Sequence, residues 1–142
     1  MGYPQRPGIR SKLPYRKPSR WTSPPDTVVA YIAGIIDGEG SIGIVKGAYR
    51  VHVAQLAQAG LCDRLQALTG IGTVGVSVSG RKRPMARWVI TRHDEVIDLL
   101  RATLPYLIVK RAGALAALAY CDHECRHDDT AAIVPLSGNG RS

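Results

Sequence analysis

Residues 32–41 read Ile-Ala-Gly-Ile-Ile-Asp-Gly-Glu-Gly-Ser, and this stretch decides the fold. It begins as an apolar helix and ends in two acids, Asp37 and Glu39, that alternate with glycines. Gly34 and Gly38 lie four residues apart, hence on one face of a helix, where the missing Cβ lets a second helix come close. The stretch therefore predicts a helix that packs against another helix and presents acids at its C-terminal end.

Those acids are suited to one kind of chemistry. Carboxylate oxygens are the preferred ligands of a hard divalent cation such as Mg²⁺. A second copy of the stretch would bring a second Glu39 within reach of the same cation, and paired sites of this kind serve phosphodiester cleavage. The alternative interpretation is a glycine-rich helix end with solvated acids.

The string IAGIIDGEG at residues 32–40 resembles the signature of the LAGLIDADG homing endonucleases. Ile32 stands for the first Leu, Gly38 for the second Ala and Glu39 for the last Asp, so apolar, small and acidic positions are kept. The resemblance covers residues 27–120. It implies an α+β domain whose curved, four-stranded antiparallel sheet forms a saddle on double-stranded DNA. It also implies site-specific, Mg²⁺-dependent cleavage of both strands.

Apolar periodicity independently predicts the order αββαββαα in two layers, with one wet, basic sheet face. Predicted helices span residues 28–37, 61–68, 94–104 and 111–121, and predicted strands span residues 41–46, 50–55, 73–79 and 86–91. The first helix is expected to have Ser23 as its cap and Pro24 at its first position. Alternation predicts these core-facing side chains: Val51, Val53, Val74, Val76, Val78, Trp88 and Ile90.

Charge and length divide the chain into three parts. The 142 residues fit one domain, and a formal charge of +8 favours a polyanionic partner. We expect a basic arm without stable structure at residues 1–22, the endonuclease domain at 23–121, and a polar, frayed tail at 122–142. Residues 1–20 contain six of the nineteen basic residues and no acid. These are Arg6, Arg10, Lys12, Arg16, Lys17 and Arg20.

The sequence composition also indicates the cellular compartment of the protein. No apolar run is long enough for a bilayer, and the N-terminal region lacks the apolar core of a secretory signal. A basic transit peptide is an alternative, although the prolines of residues 1–22 argue against an amphipathic helix. Three cysteines do not make a disulfide framework and indicate a reducing compartment. We expect a cytoplasmic protein of bacterial or phage origin, with an organelle as the alternative, and neither a membrane partner nor a small-molecule cofactor.

Three residues are the predicted catalytic set. Glu39 would hold Mg²⁺ between two protomers. The resemblance at Val53-Ala54-Gln55 implies that Gln55 orders water around the metals, the alternative being a solvated strand end. The resemblance at residues 104–111 implies that Lys110 offsets charge on the pentacovalent phosphate. A solvated lysine at a helix start is its alternative, and Arg111 is the other candidate for the position.

Asp37 is expected to hydrogen-bond helix ends and not to bind metal. Another set of residues is predicted to meet DNA. Candidates for base edges share the polar sheet face, and candidates for phosphates lie at a hairpin tip. The first group is Arg50, His52, Thr73, Ser77 and Arg87, and the second is Arg81, Lys82 and Arg83. Each cation has the alternative of being a solvated surface charge, and the arm could add salt-dependent affinity or serve solubility.

One signature helix and no internal repeat predict a homodimer joined through Gly34, Ile35 and Gly38. A twofold enzyme favours a long, pseudo-palindromic target. One rival function is a DNA-binding protein or RNA-splicing maturase of the same fold that does not cut. Another is a monomeric, basic RNA- or ribosome-associated domain.

A zinc site is the remaining alternative. Cys121, His123, Cys125 and His127 are zinc-type ligands, but four ligands within seven residues would strain a tetrahedron. We expect an incidental cluster at a helix end.

Overall fold

The structure, a computed structural model, describes residues 18–80 and 82–130. Its element order is αββαββαα, as predicted. The elements are α1 (Asp26–Glu39), β1 (Gly40–Val45), β2 (Ala48–Leu56), α2 (Leu61–Thr69), β3 (Thr73–Ser77), β4 (Met85–Ile90), α3 (His93–Thr103) and α4 (Arg111–Thr130). Short 3₁₀ turns, Ala57–Ala59 and Leu104–Tyr106, follow β2 and α3. All predicted bounds except the end of the last helix lie within two residues of these.

The four strands form one antiparallel sheet in the order β1-β2-β4-β3. Val53 of β2 is paired with Gly40 of β1 on one side and with Trp88 of β4 on the other. The first residue of β1 is therefore at the same level of the sheet as Trp88. One face of the sheet carries the helices. The other, which we call the outer face, carries the alternate residues of each strand. The fold is therefore the predicted two-layer α+β domain.

The core lies between the sheet and the helices. Trp88, Ile90, Val51 and Val53 are fully buried, as their alternation predicted. Helical side chains pack against them at the three- and four-residue spacing of an amphipathic helix. They include Ile32, Ala33 and Ile36 of α1, Leu65 of α2, and Val96, Leu99 and Leu100 of α3.

The edge strand β3 departs from the prediction. Val76 and Val78 were expected to face the core, but they are 62% and 63% exposed, and β3 ends at Ser77. Val74 is partly buried and packs against the core. The edge strand β3 therefore lies outside the helical cover from Val76 onward, although Ala86, its partner on β4, is still buried. Alternation reports which side chains share a face, but not whether a helix reaches far enough to cover them.

The predicted cap of α1 is also wrong. Ser23 has φ +54° and does not cap the helix, which begins at Asp26 after an extended Pro25. The reason lies in the paired prolines, because a residue that precedes a proline is driven out of the α conformation. Pro24 precedes Pro25, so it cannot be the first helical residue. The carbonyl of Pro25 instead accepts the N–H groups of Val28 and Val29.

Described structure lies on both sides of the predicted domain, residues 23–121, whose bounds stay a prediction. On the N-terminal side, Arg20 and Thr22 hydrogen-bond to the folded domain, so the ordered part begins before residue 23. On the C-terminal side, α4 continues to Thr130, through a stretch predicted to be a frayed tail. Residues 114–134 contain neither Gly nor Pro, so nothing in the sequence ends the helix at residue 121. Across the described ranges, the helices are too short or too polar to cross a bilayer.

Candidate active site and nucleic-acid interface

The C-terminal end of α1 presents Glu39 to solvent. Glu39 is the last residue of the helix and is exposed, and Gly40 enters the β-ladder directly. A Cβ on Gly40 would lie 2.9 Å from the Ile36 Cα and 3.0 Å from its carbonyl oxygen. Only glycine fits this tight passage from helix to strand, which therefore fixes the position of the Glu39 backbone.

Asp37 joins this end of α1 to the start of α4. Its Oδ2 accepts the N–H of Ile108 at 2.8 Å, and its Oδ1 accepts the N–H of Lys110 at 2.9 Å. Desolvation would raise the pKa of Asp37, but the N–H groups of Lys110 and Ile108 and the Lys110 ammonium outweigh it and lower that pKa. Asp37 thus has the helix-linking role that its sequence position predicted, and its oxygens are already engaged.

Lys110 lies at the same helix end. Its Nζ donates to the carbonyls of Asp37 at 3.0 Å and Ile36 at 3.2 Å. The last turn of α1 has no basic residue of its own, and a cation there favourably meets the unpaired carbonyls and the negative end of the helix dipole. Arg111, the alternative, instead donates to the Leu104 carbonyl at 2.6 Å. The structure therefore brings together Lys110 and the helix end that bears Glu39.

Gln55 is engaged elsewhere. Its Oε1 accepts the N–H of the neighbouring Leu56 at 2.9 Å. Its side chain also lines a cavity of about 740 Å³ beside the first half of α1, together with Thr27, Val28, Tyr31, Leu61 and Arg64. Within the described residues, no hydrogen bond links Gln55 to Glu39 or Lys110.

The outer face of the sheet gathers the predicted base-contacting residues. Ser41, His52, Val89 and Thr73 form one row across the four strands, and Arg87 lies opposite Ala54 and Gly75 in the next. The five predicted residues, Arg50, His52, Thr73, Ser77 and Arg87, all belong to this face. Part of it is a groove of about 450 Å³ whose lining includes Thr73, Gly75, Ser77, Arg87 and Val89.

His52 lies in the middle of this face. Its Nδ1 is hydrogen-bonded to the Ser41 hydroxyl at 2.8 Å. Desolvation lowers the pKa of His52, and the charges of Arg50 and Arg87 lower it further. Ser41 was not among the predicted contact residues. Its place opposite His52 depends on the strand register, which the sequence of one strand does not specify.

The hairpin tip carries exposed cations. Lys82 and Arg83 are exposed beyond the end of β3, and the N–H of Lys82 closes a turn on the Ser79 carbonyl. Arg81, predicted with them, lies outside the described residues. The tip thus carries at least two exposed cations beyond the end of β3.

The face of α1 away from the sheet is open. Tyr31 is 55% exposed, and a Cβ added to Gly34 or Gly38 would meet nothing within 4 Å. Ile35 is partly buried against the core. Near the Asp37 end, Ile108 and Val109 are 82% and 71% exposed. These five exposed residues, Tyr31, Gly34, Gly38, Ile108 and Val109, form what we call the open apolar face.

The donor set fits part of a divalent-metal site. Across the described residues, no group of three or more His, Cys, Asp or Glu side chains could hold an ion. Two acids lie at the end of α1. The carboxylate of Asp37 is hydrogen-bonded, and the carboxylate of Glu39 faces solvent. One oxygen ligand suits Mg²⁺ but leaves most of its coordination positions for water, DNA or a second chain.

Of the four possible zinc ligands, Cys121 alone lies among the residues whose side chains the structure describes. Cys121 is buried in α4. His123, Cys125 and His127 lie outside the residues whose side chains the structure describes. The expectation of an incidental cluster stays a prediction.

Comparison with known proteins finds likeness in structure alone. No model of a protein family matches the chain, and no curated protein matches it in sequence. Among solved structures, the homing endonuclease I-CvuI in complex with its target matches with a TM-score of 0.64 and 24% identity, over 75% of this chain and 73% of that one. The archaeal intron-encoded homing endonuclease I-Vdi141I, complexed with DNA, matches with a TM-score of 0.59 and 17% identity, over 71% and 70%.

The meganuclease I-SmaMI, bound to uncleavable DNA, matches with a TM-score of 0.58 and 15% identity. That match covers 70% of this chain but 39% of the I-SmaMI chain, so the domain corresponds to less than half of that protein. At these identities the likeness establishes architecture. The resemblance seen in residues 32–40 is thereby confirmed at the level of the fold, and the chain has the fold of the LAGLIDADG homing endonucleases.

Proposed function

We propose that the protein is a homing-type, site-specific DNA endonuclease that works as a homodimer with Mg²⁺. The observation that carries the proposal is the end of α1. There an exposed Glu39 and a helix-bound Lys110 lie beside the open apolar face. A second chain packed on that face would set a second Glu39 near the first. Two such carboxylates would supply more of the oxygen ligands of a Mg²⁺ ion than one chain supplies.

Glu39, Lys110 and Asp37 would have separate roles at the C-terminal end of α1. Bound Mg²⁺ would supply polarisation of the scissile phosphate and a lower pKa for the attacking water. Glu39 would hold the ion. Lys110 has three N–H donors, of which the carbonyls of Ile36 and Asp37 take two, so one is left for a phosphate oxygen. The carboxylate of Asp37 accepts the backbone N–H of Lys110 and so holds Lys110 at the end of α1.

The outer face would bind the target. Arg50, His52 and Arg87 offer donors between small residues, a surface suited to base edges in a major groove. Solved structures of the same fold are described as complexes with DNA, which supports this partner. The I-CvuI structures were determined with calcium or with magnesium, which supports a divalent ion.

The test is cleavage of the DNA that flanks the coding region, rejoined without the coding sequence. We expect wild type with Mg²⁺ to cut both strands at one place, and Glu39→Gln to bind equally well without cutting. Undiminished cutting by Glu39→Gln would refute the assigned role of Glu39. Binding by wild type without any nicking would favour the rival function, a DNA-binding protein or maturase that does not cut.

A further inference from the structure

Two arginines carry the charge of the outer face of the sheet. Arg50 of β2 and Arg87 of β4 belong to the two central strands of the order β1-β2-β4-β3. The four strands contain no Asp or Glu, and these two residues are their only Arg or Lys. The central strands therefore carry two cations and no acid that could neutralise them.

Neither guanidinium group has a partner in the part of the chain that the structure describes. Among those residues, Arg50 and Arg87 form no hydrogen bond and no ion pair. The charges of both arginines lower the pKa of His52, so both groups lie near the ring of that residue. With its five N–H donors unused, each guanidinium group is able to form hydrogen bonds with a ligand.

The neighbours of both arginines on the adjoining strands are small. Arg50 is paired with Gly43 of β1, and Arg87 is paired with Gly75 of β3 and Ala54 of β2. A Cβ added to Gly43 or Gly75 would meet nothing within 4 Å, so neither arginine lies over the glycine beside it. A flat ligand such as the edge of a base pair therefore has room to approach both guanidinium groups.

The strand register fixes the separation of the two arginines. Arg87 is opposite Ala54, which lies four residues from Arg50 along β2. Four residues of a strand span about 13 Å, and the next strand is about 4.8 Å away, so the two Cα atoms are about 14 Å apart. Base pairs of a duplex are stacked about 3.4 Å apart, so this separation corresponds to about four base pairs.

Guanine is the base that matches an arginine. Its O6 and N7 are two acceptors on the major-groove edge, and the guanidinium fork donates to both of them at once. The major groove admits a ribbon of two strands, such as β2 and β4, whose side chains then meet base edges. Lys82 and Arg83 instead lie at the hairpin tip beyond β3, where they suit phosphates.

We propose that Arg50 and Arg87 each recognise one guanine in each half of the target, with the two G·C pairs about 3–5 base pairs apart. The inference rests on the proposed function, and it names the base pairs that the outer face selects. Either DNA strand carries each guanine. A homodimer repeats the same two G·C pairs in inverted order in the other half-site.

The experiment selects bound duplexes from a library that is randomised over about 20 base pairs, close to two helical turns. A chelator removes divalent ions, so that binding is measured without cutting. The full chain is compared with Arg50→Ala, Arg87→Ala and Arg87→Lys. The matched control is Arg101→Ala, which removes an exposed arginine of α3, in the helical layer on the other side of the sheet.

Wild type should select two G·C pairs per half-site at the stated spacing. Replacing one of these pairs by A·T in one half-site should weaken its binding about 5–150-fold. Arg50→Ala should remove the preference at one position and keep it at the other, and Arg87→Ala should do the reverse. Arg87→Lys should keep the salt dependence of wild type and discriminate less, because the charge stays and the fork is lost. The control should select the same sequences as wild type.

The outcomes separate this inference from the proposed function. If wild type binds no duplex, or binds all sequences alike, the proposed site-specific function fails and this inference falls with it. If wild type selects a sequence without two such G·C pairs, this inference alone is overturned. Uniform weakening on all sequences by Arg50→Ala or Arg87→Ala would place that arginine on a phosphate and would also overturn it.

Discussion

Replacing Gly34 by Leu should separate the stability of the chain from its self-association. Within one chain, a Cβ at Gly34 meets nothing within 4 Å, and the residue lies inside α1. Leu is a far better helix former than Gly, so the monomer should gain about 0.5–1 kcal/mol of unfolding free energy. For a chain of this size, that corresponds to a rise in Tm of about 2–4 °C.

Association should change in the opposite direction. If two α1 helices pack through their glycines, each dimer contains two new side chains where backbones met. Overpacking costs about 1–3 kcal/mol per site, hence about 2–6 kcal/mol per dimer. Because 1.4 kcal/mol is a tenfold change in Kd, the dimer should weaken by about 30-fold or more.

The matched control is Gly113→Leu in α4. Gly113 is also exposed and has open space around its Cβ position, so this variant should gain similar stability and associate like wild type. Sedimentation equilibrium gives the Kd, and urea unfolding at a concentration below that Kd gives the monomer stability. A Gly34→Leu variant that dimerises as well as wild type would refute the reasoning, as would one that is less stable as a monomer.

Three further predictions concern single side chains. Glu95→Gln should destabilise the protein at pH 7 by about 1–3 kcal/mol, less than for a fully buried pair because the Arg20 side chain is 44% exposed. Hydrogen bonds from Arg20 and Gly72 overcome desolvation and lower the pKa of Glu95, so this stabilisation exists above an unfolded pKa of about 4.3 and disappears as the pH falls through the folded value. Asp37→Asn should cost about 1 kcal/mol in urea unfolding, because an amide oxygen replaces an ionised acceptor of two N–H groups. Lys110→Met should lower the cleavage rate by about 10²–10³-fold and leave DNA affinity within a few-fold.

Each of these three predictions has a result that would contradict it. A Glu95→Gln deficit that stays constant from pH 7 to pH 3 would show that the carboxylate charge does not stabilise the fold. Unchanged stability in Asp37→Asn would mean that the link between α1 and α4 adds nothing. Equal losses of DNA binding and cleavage in Lys110→Met would place Lys110 in the binding surface and not at the reaction centre.

Local patterns were enough to predict the fold. Alternation identified Val51, Val53, Trp88 and Ile90 as core residues, and the helix-to-strand passage at Gly40 is encoded in one short string. The structure also confirms that Asp37 hydrogen-bonds a neighbouring helix end. The core pattern and the passage at Gly40 depend on residues and their near neighbours in sequence, whereas the Asp37 contacts join residues 71 and 73 positions apart and followed only from its place near a helix end.

Other features made by residues distant in sequence were missed. Arg20 and Glu95 are 75 positions apart, and an isolated pair of opposite charges gives no sequence signal of its own. Ser41 meets His52 only because of the strand register. Exposure of Val76 depends on how far the helices extend over the sheet, which no strand pattern reports. The roles predicted for Glu39 and Gln55 remain predictions.

The most direct test of the shared site is cleavage by mixed dimers. Wild type and Glu39→Gln are combined in equal amounts under conditions where subunits exchange, and all broken phosphodiester bonds, nicks included, are counted. If every cut needs Glu39 from both protomers, random pairing leaves about one quarter of the wild-type activity. About one half would instead show that each chain cuts with its own glutamate alone, and would contradict a metal held between two protomers.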